Sequence, residues 1–414
     1  MRKIIASIDI GTNSIKIIVG EILRTKLHIL AVSDTPCFGL KKGLIIDAAS
    51  VIKSLKEGLK KVEEMIGQKI KKAVVSVPSY HAEFKIGEGV TTVTNPDRVV
   101  TATEIIQAMQ ASIYNRISNE SELINCIPTI FKVNEDTLVK DPKGIVTTRL
   151  EVKTVIVTAP KKNVQSVLGV MEQCGIKVVD IAFNTMADYY ALKNKNTENS
   201  IGAIINLGHE TTTIGIYNKG IITNTETIDL GSNNIDNDIV FIYKITSKDA
   251  KYLKENFALC HKRFASAAEI EIMTNRLGEE IKINQYELSE IVASRIEEIL
   301  NLAKKQINLL TKKEISYIIL TGGLTEAKDF GLIVDSVYGK NAQIGNITEI
   351  GARNNKYSTS LGLIKYYDDK LKLKDKEFSI FSIEELEEFA TAHKRVNVAE
   401  NSLLGKVFGY FFDN

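Results

Sequence analysis

What this chain lacks narrows its chemistry before any motif is read. Its four cysteines, Cys37, Cys126, Cys174 and Cys260, stand far apart and form no C-x-x-C pair, so free thiols in a reducing compartment are expected. Its five histidines show no H-x-x-x-H spacing, which argues against a zinc site. No apolar run reaches the roughly 18 residues that span a bilayer, and the start MRKIIASIDI has neither the apolar core nor the cleavage site of a signal peptide. The chain is therefore expected to be soluble, or to rest on a membrane without crossing it. Net charge is only +2 and no long basic run is present, so bulk electrostatics points to no nucleic acid. What remains is an ordinary globular mixture in 414 residues, too many for one core, which predicts two or more domains.

The segment IASIDIGTNSIKIIVGEI, residues 5–22, is apolar, briefly polar, then apolar again. It reads as a β-hairpin whose turn is Gly11-Thr12-Asn13-Ser14, with an acid, Asp9, just before the turn. The pattern returns in IGAIINLGHETTTIGIYNKG, where Ile205-Asn206-Leu207-Gly208 aligns with Ile8-Asp9-Ile10-Gly11. Two copies, one opening each half after the polar link NKNTENS (194–200), suggest a duplicated domain pair with a cleft between. Residues 83–152 change character, with short strands (EGVTTVT, PTIFKVN), one helix (ATEIIQAMQASIYNRI) and a turn at Asp141-Pro142, and read as an inserted small α/β unit. A very apolar strand, ISYIILTGGL, ends in Gly322-Gly323.

Two facing hairpin turns and a strand-end Gly-Gly suit a nucleotide. Glycine lets backbone approach phosphate oxygens, and the N–H groups of a tight turn form an anion-binding nest. Lys16, seven residues after Asp9 on the return strand, can reach a phosphate as a point charge. Asp9 would hold Mg²⁺, chiefly through water. The plainer alternative for one such motif alone is that Asp9 and Asn13 merely cap a turn.

With these residues in view, IDIGTNSIKIIVGE, INLGHETTTIGIY and IILTGGL resemble the two phosphate motifs and the adenosine motif of the actin/Hsp70/sugar-kinase superfamily. Within it the chain resembles the FtsA family of bacterial cell-division proteins. The resemblance is carried by GLKKGLI, CIPTIFKVNEDTLVKDPKGIVTTRLEVKTVIVTA, KYSTSLGLIKYY and the apolar end NSLLGKVFGYFFDN. It implies an α/β class: a duplicated, actin-like (ribonuclease H-like) two-domain fold with an inserted 1C subdomain and a C-terminal amphipathic helix. The implied division is subdomain 1A at 1–82 and 153–193, 1C at 83–152, 2A at 194–236 and 311–366, and 2B at 237–310. A linker at 367–400 and a membrane-targeting helix at 401–414 complete it. By the same resemblance, Gly11, Thr12, Asn13 and Lys16 touch phosphates from one side, and Gly208, Thr211 and Thr212 from the other. Gly322 and Gly323 lie against adenosine, and Lys254 contacts ribose or adenine. The implied cofactors are ATP and Mg²⁺. The implied partners are FtsZ, through its C-terminal peptide on 2B, further copies of the chain in filaments, later division proteins, and lipid on the inner face of the cell membrane at the division site. In the last helix Leu403, Leu404, Val407, Phe408 and Phe411 share one arc with Phe412 at its edge, opposite Gly405, Lys406 and Gly409.

The chain departs from the family in its second loop. Asn206 stands where an Asp is usual, and His209 and Glu210 replace two glycines, so a Glu there would repel a nucleotide unless it points away. Asn184 stands where the superfamily often orients the attacking water. With amides at both candidate catalytic positions, Asn184 and Asn206, at most a very slow ATPase is expected. Two alternatives stay open: a nucleotide-impaired actin-like scaffold, and a PilM-like pilus-assembly protein. A sugar kinase is disfavoured by Asn206, and a chaperone by the short tail after 366.

Overall fold

The fold is that of a computed structural model, which describes residues 3–134, 137–382 and 385. The opening strands β1 (Lys3–Ile10) and β2 (Ser14–Leu23) form the predicted hairpin, with Asp9 opposite Lys16 and Ile10 opposite Ile15. Both are buried almost throughout because they lie inside a sheet covered on both faces, which is why they read as continuous apolar runs. β3 (Lys26–Pro36) follows, then a small hairpin, β4 (Leu40–Lys41) and β5 (Leu44–Ile45). Helix α1 (Ala48–Ile66) starts where the Asp47 carboxylate accepts from the backbone of Ala49 and Ser50. It ends at Gly67, which takes the left-handed conformation of a helix stop. Its buried side chains Val51, Leu55, Leu59, Val62 and Ile66 follow the helical repeat and cover the sheet.

After β6 (Lys72–Val77) the inserted unit begins with β7 (Glu83–Thr92), α2 (Ala102–Ile113), β8 (Ser121–Val133), β9 (Thr137–Val139) and β10 (Arg149–Pro160). It is an antiparallel sheet in the order β7-β10-β8-β9 with α2 on one face. A Cβ on Gly89 would come within 2.0 Å of the Ala108 carbonyl oxygen, so only glycine lets α2 lie this close. The boundary expected at 152 falls inside β10, which runs unbroken to Pro160 and carries Val157 and Ala159 into the core of the first domain. A pairing ladder does not stop where composition changes. Helix α3 (Lys161–Gln173) and β11 (Lys177–Phe183) complete a first sheet ordered β11-β6-β1-β2-β3.

Helix α4 (Asn184–Leu192) leads to the second half: β12 (Ile201–Leu207), β13 (Thr212–Asn218) and β14 (Ile221–Ile228). Then come α5 (Ser232–Tyr243), α6 (Ser247–Tyr252), the hairpin β15 (Ile270–Thr274) and β16 (Glu280–Asn284), and the long α7 (Gln285–Leu310). β17 (Tyr317–Thr321), α8 (Phe330–Tyr338) and β18 (Ala342–Ile344) close a sheet ordered β14-β13-β12-β17-β18. Strand for strand this repeats the first sheet, two antiparallel pairings followed by two parallel ones. The duplicated two-domain fold expected from the repeat is therefore the observed one.

The halves meet through α4 and α9 (Ser358–Leu373). A Cβ on Gly362 would lie 1.7 Å from the Ala187 carbonyl oxygen, which records how closely these helices cross. α9 sends Leu361, Leu363, Ile364 and Tyr366 into the first core, so residues 358–366 belong there and not to the second domain as expected. The linker expected from 367 also begins too early. α9 continues to Leu373, and beyond it Ile380 and Phe381 are buried, with the Ile380 amide donating to the Ile4 carbonyl. The proposed membrane-contacting residues Leu403, Leu404, Val407, Phe408, Phe411 and Phe412 lie outside the described residues. Among the described residues no helix is long and apolar enough to cross a membrane.

Candidate functional site

The repeat places its two hairpin turns face to face. In each, a glycine N–H closes the turn on a carbonyl three residues on: Gly11 to Ser14 at 3.1 Å and Gly208 to Thr211 at 2.9 Å. A Cβ on Gly208 would come within 2.8 Å of the Thr211 oxygen, so this tight closure needs glycine. Between the turns lies a cleft of about 560 Å³. Asp9, Gly11, Thr12, Asn13 and Lys16 line one wall, and Asn206, Gly208 and Thr211 the other. Asn184, Lys254, Gly322 and Gly323 also face it. Gly322 has φ +96°, and a Cβ there would stand 2.5 Å from Asn206 Oδ1, so the strand end can pass the second loop only as glycine.

Thr212 is not part of this wall. It is fully buried, and its hydroxyl donates to the Leu230 carbonyl at 2.9 Å. Its neighbour Thr213 lines the cleft and lies within hydrogen-bond distance of Asn184. Alternation could have shown this: Asn206 pairs with Thr213, and Leu207 with Thr212, so Thr213 shares the cleft face and Thr212 takes the other.

The first wall carries a ladder of charge. Asp9 on β1, Lys16 on β2 and Asp34 on β3 are neighbours in register. Lys16 Nζ stands 4.0 Å from Asp9, and the Ser76 hydroxyl donates to Asp9 Oδ1 at 2.8 Å. Burial alone would raise the Asp34 carboxyl, but hydrogen bonds from Lys356 and Ser14 and the charges of Lys16 and Lys356 hold it below the usual carboxylate range. Sequence reasoning missed Asp34, Ser76 and Lys356, which reach the cleft only through strand pairing and the return of α9.

The second wall differs. Glu210 does not line the cleft: its carboxylate accepts the Lys42 backbone N–H at 2.5 Å, from the β4–β5 turn of the other domain. His209 does face the cleft, 3.3 Å from the Ser232 hydroxyl. Burial, reinforced by Lys254, Lys251 and Lys16, pushes its imidazole down to about 4, so it is neutral at pH 7. Lys254 sits in a π-helical turn (Leu253–Phe257) and pairs with the buried Asp236 at 2.7 Å. Behind Asn206 lies Asp188, which sequence reasoning also missed. It is fully buried and accepts from Asn206 Nδ2 and from the hydroxyls of Ser358 and Thr359, at 2.7, 2.7 and 2.9 Å. Burial pushes its carboxyl up to about 7 against those three hydrogen bonds.

This arrangement can hold an anion against two hairpin turns and a lysine, with the Asp9 carboxylate beside them. Comparison with known proteins agrees with that architecture. The family model described as "Cell division protein FtsA" matches residues 203–362, and that of the "SHS2 domain inserted in FTSA" matches residues 81–158. The cell division protein FtsA of Bacillus subtilis (strain 168) is 28% identical over 367 residues, covering 88% of this chain and 83% of that protein. FtsA of Escherichia coli (strain K12) is 23% identical over 381 residues, covering 88% and 90%. Among solved structures, the PilM-PilN type IV pilus biogenesis complex superposes with a TM-score of 0.59 at 14% identity, covering 87% of this chain and 97% of that one. MreB5 of Spiroplasma citri bound to ADP gives 0.55 at 14% identity, covering 90% and 98%. These two likenesses concern the fold, whereas the family matches together span more than half of the chain. An actin-like cell-division protein with its inserted subdomain is what the sequence, the duplicated sheets and the matches describe together, and the chain belongs to the FtsA family.

Proposed function

We propose that this actin-like cell-division protein binds ATP with Mg²⁺ in the cleft between its two hairpin turns. On this reading it polymerises on the inner face of the cell membrane, anchors FtsZ filaments there and helps recruit later division proteins. The observation that carries the nucleotide part is the pair of glycine-closed turns facing each other across a cleft that also holds Lys16 and Asp9. The donor set suits a Mg²⁺ delivered with phosphates: Asp9 beside hydroxyls and amides, while the other carboxylates of the lining are engaged, Asp34 by Lys356, Glu326 by the Asn355 N–H and Glu255 by Lys251, which leaves most ligand positions to water and nucleotide. Asp9 would hold it, mostly through water, and the cation would neutralise phosphate charge. Gly11, Thr12, Asn13 and Lys16 would bind phosphates from the first domain, Gly208 and Thr211 from the second. Gly322, Gly323 and Lys254 would meet the nucleoside.

Isothermal titration with ATP, with and without Mg²⁺, tests this directly. Micromolar or tighter binding that needs Mg²⁺ is the expected result, and no heat of binding at millimolar ATP would overturn it. One observation favours a second reading, the nucleotide-impaired scaffold: His209 occupies the cleft face where backbone alone would suit a phosphate. The same titration separates the two. Turnover should be far below about 1 per second, because Asn184 and Asn206 offer no carboxylate to activate water. Phosphate release at saturating ATP measures it. The membrane part rests on the sequence of the last residues. Anionic liposomes should pellet the full chain and not a chain ending at Asn401, with Phe408→Asp between them. Equal pelleting of the truncated chain would remove the tail as anchor.

A further inference from the structure

A carboxylate is missing from the second wall at Asn206, yet one stands directly behind it. Asp188 is fully buried and does not line the cleft, and it receives three donors. Two of them, Ser358 and Thr359, are the first residues of α9, where the helix N-terminus favours negative charge. The third is Asn206 Nδ2, at 2.7 Å. Both carboxyl oxygens accept here, Oδ1 from Ser358 and Thr359 and Oδ2 from Asn206, so Asp188 meets the Asn206 amide at its nitrogen end. With Nδ2 turned inward to Asp188, the oxygen must take the opposite side, and there Oδ1 lies against Gly322, one of the residues of the cleft.

We propose that Asp188 is a positioning residue for the nucleotide site: by accepting from Asn206 Nδ2, with Thr359 Oγ1 3.5 Å from the same nitrogen, it fixes Asn206 with its oxygen, not its NH₂ group, toward the cleft, where a Mg²⁺-bound water can be accepted. The inference rests on the nucleotide reading above and adds to it the residue that makes an asparagine serviceable there. It also explains why Asn206 and Asp188 occur together. An aspartate at 206 would put a second carboxylate within 2.7 Å of the first, and two like charges at that distance cannot both ionise.

The test is a charge exchange. In Asp188→Asn, the new amide can accept from Ser358 or Thr359 and offer its own NH₂ to residue 206, so Asn206 turns its NH₂ to the cleft. In the double variant Asp188→Asn/Asn206→Asp, the amide at 188 donates to the carboxylate at 206, and an oxygen faces the cleft again. Isothermal titration with ATP, with and without Mg²⁺, should show the Mg²⁺-dependent gain in affinity falling roughly tenfold in Asp188→Asn, as for other groups that orient a cation's ligands, and returning in the double variant. A folded Asp188→Asn protein with the wild-type Mg²⁺ dependence would overturn the proposal, as would a double variant no better than Asp188→Asn. Thermal unfolding of the four proteins without nucleotide gives an independent reading of the pair. Asn206→Asp alone should lower the midpoint and the double variant should recover it. If wild-type protein binds no ATP, the nucleotide reading fails and this cycle alone judges the pairing, with additive midpoints overturning it.

Discussion

The two turns that face each other across the cleft have nearly the same backbone and opposite side-chain habits. In the first, Gly11, Thr12 and Asn13 line the open space, and the charged residues beside them, Asp9 and Lys16, line it too. In the second, the neutral His209 and Thr211 line the space, and other side chains are drawn elsewhere or tied down. Glu210 reaches across to Lys42, Thr212 is buried under Leu230, and Asn206 is tied by its amide to Asp188. A hairpin with a glycine-closed turn therefore fixes where the backbone donors sit, and leaves the flanking residues to decide whether the site meets a ligand with charge or only with dipoles. The first turn has its charge on its own hairpin, in Asp9 and Lys16, whereas charge beside the second turn comes from outside it, from Lys251, Lys254 and Glu255.

The strongest way to break that contrast is to make the first wall resemble the second. Asp9→Asn removes the carboxylate of the first hairpin while keeping the shape, and the Ser76 hydroxyl can still donate to the amide oxygen. The Mg²⁺-dependent part of ATP affinity should fall by about tenfold or more, close to 1.4 kcal/mol per tenfold, while binding without Mg²⁺ changes little or improves. Titration under both conditions checks this, and equal losses under both would mean that Asp9 shapes the turn and does not serve a cation.

The next effect is a matter of pH and belongs to the second wall. In the folded protein the His209 imidazole is pushed down to about 4 from the ordinary 6.5, by burial and by Lys254, Lys251 and Lys16. The unfolded chain then binds a proton between these values and the folded chain does not, so stability is intact above pH 6.5 and lost as pH falls toward 4. At pH 5 the loss from this group is roughly 2 kcal/mol. His209→Asn should abolish that part, so that its denaturant midpoint relative to wild type rises at about pH 5 and is little changed at about pH 7.5. A difference independent of pH would mean that the fold does not lower the affinity of His209 for a proton.

How much of this was legible beforehand follows from where the information lies. The duplicated fold was readable because β1, β2, β12 and β13 are central strands whose apolar runs and glycine turns are local patterns. Asp9, Gly11 and Lys16 were readable for the same reason, as were Asn206 and Gly208. Asp34, Lys356 and Asp188 were not, since they reach the site through register and through the crossing of α4 and α9, with Asp188 and Thr359 171 positions apart. Thr212 was misplaced because a family pattern was carried over without asking which face of β13 each threonine takes. Element ends failed where packing overrode composition, as in α9, whose charged second half still buries Tyr366, Tyr367 and Leu371.

The smallest expected effect concerns the rim, where the two walls touch. Lys42 Nζ meets Asp229 at 2.6 Å, its backbone N–H meets Glu210, and the Tyr80 hydroxyl donates to Asp229. Lys42 and Tyr80 belong to the first domain, Glu210 and Asp229 to the second, so these contacts bridge the mouth of the cleft. Burial, with Asp229 beside it, holds the Tyr80 phenol above its ordinary value, so it stays a donor at any working pH. The side chains of Lys42 and Asp229 are 49% and 46% exposed, which limits their ion pair to about 0.2–1 kcal/mol in stability. Asp229→Ala should therefore leave the unfolding midpoint nearly unchanged. Its effect should appear in kinetics: a nucleotide held between two walls leaves when they part, and loosening the rim should raise the release rate a few-fold. Salt should do the same to the wild-type protein, since exposed charges are screened, and should do less to Asp229→Ala. Stopped-flow release of a fluorescent ATP analogue at low and high salt measures both. A release rate that is equal in the two proteins and insensitive to salt would show that the walls are held by α4 and α9 alone.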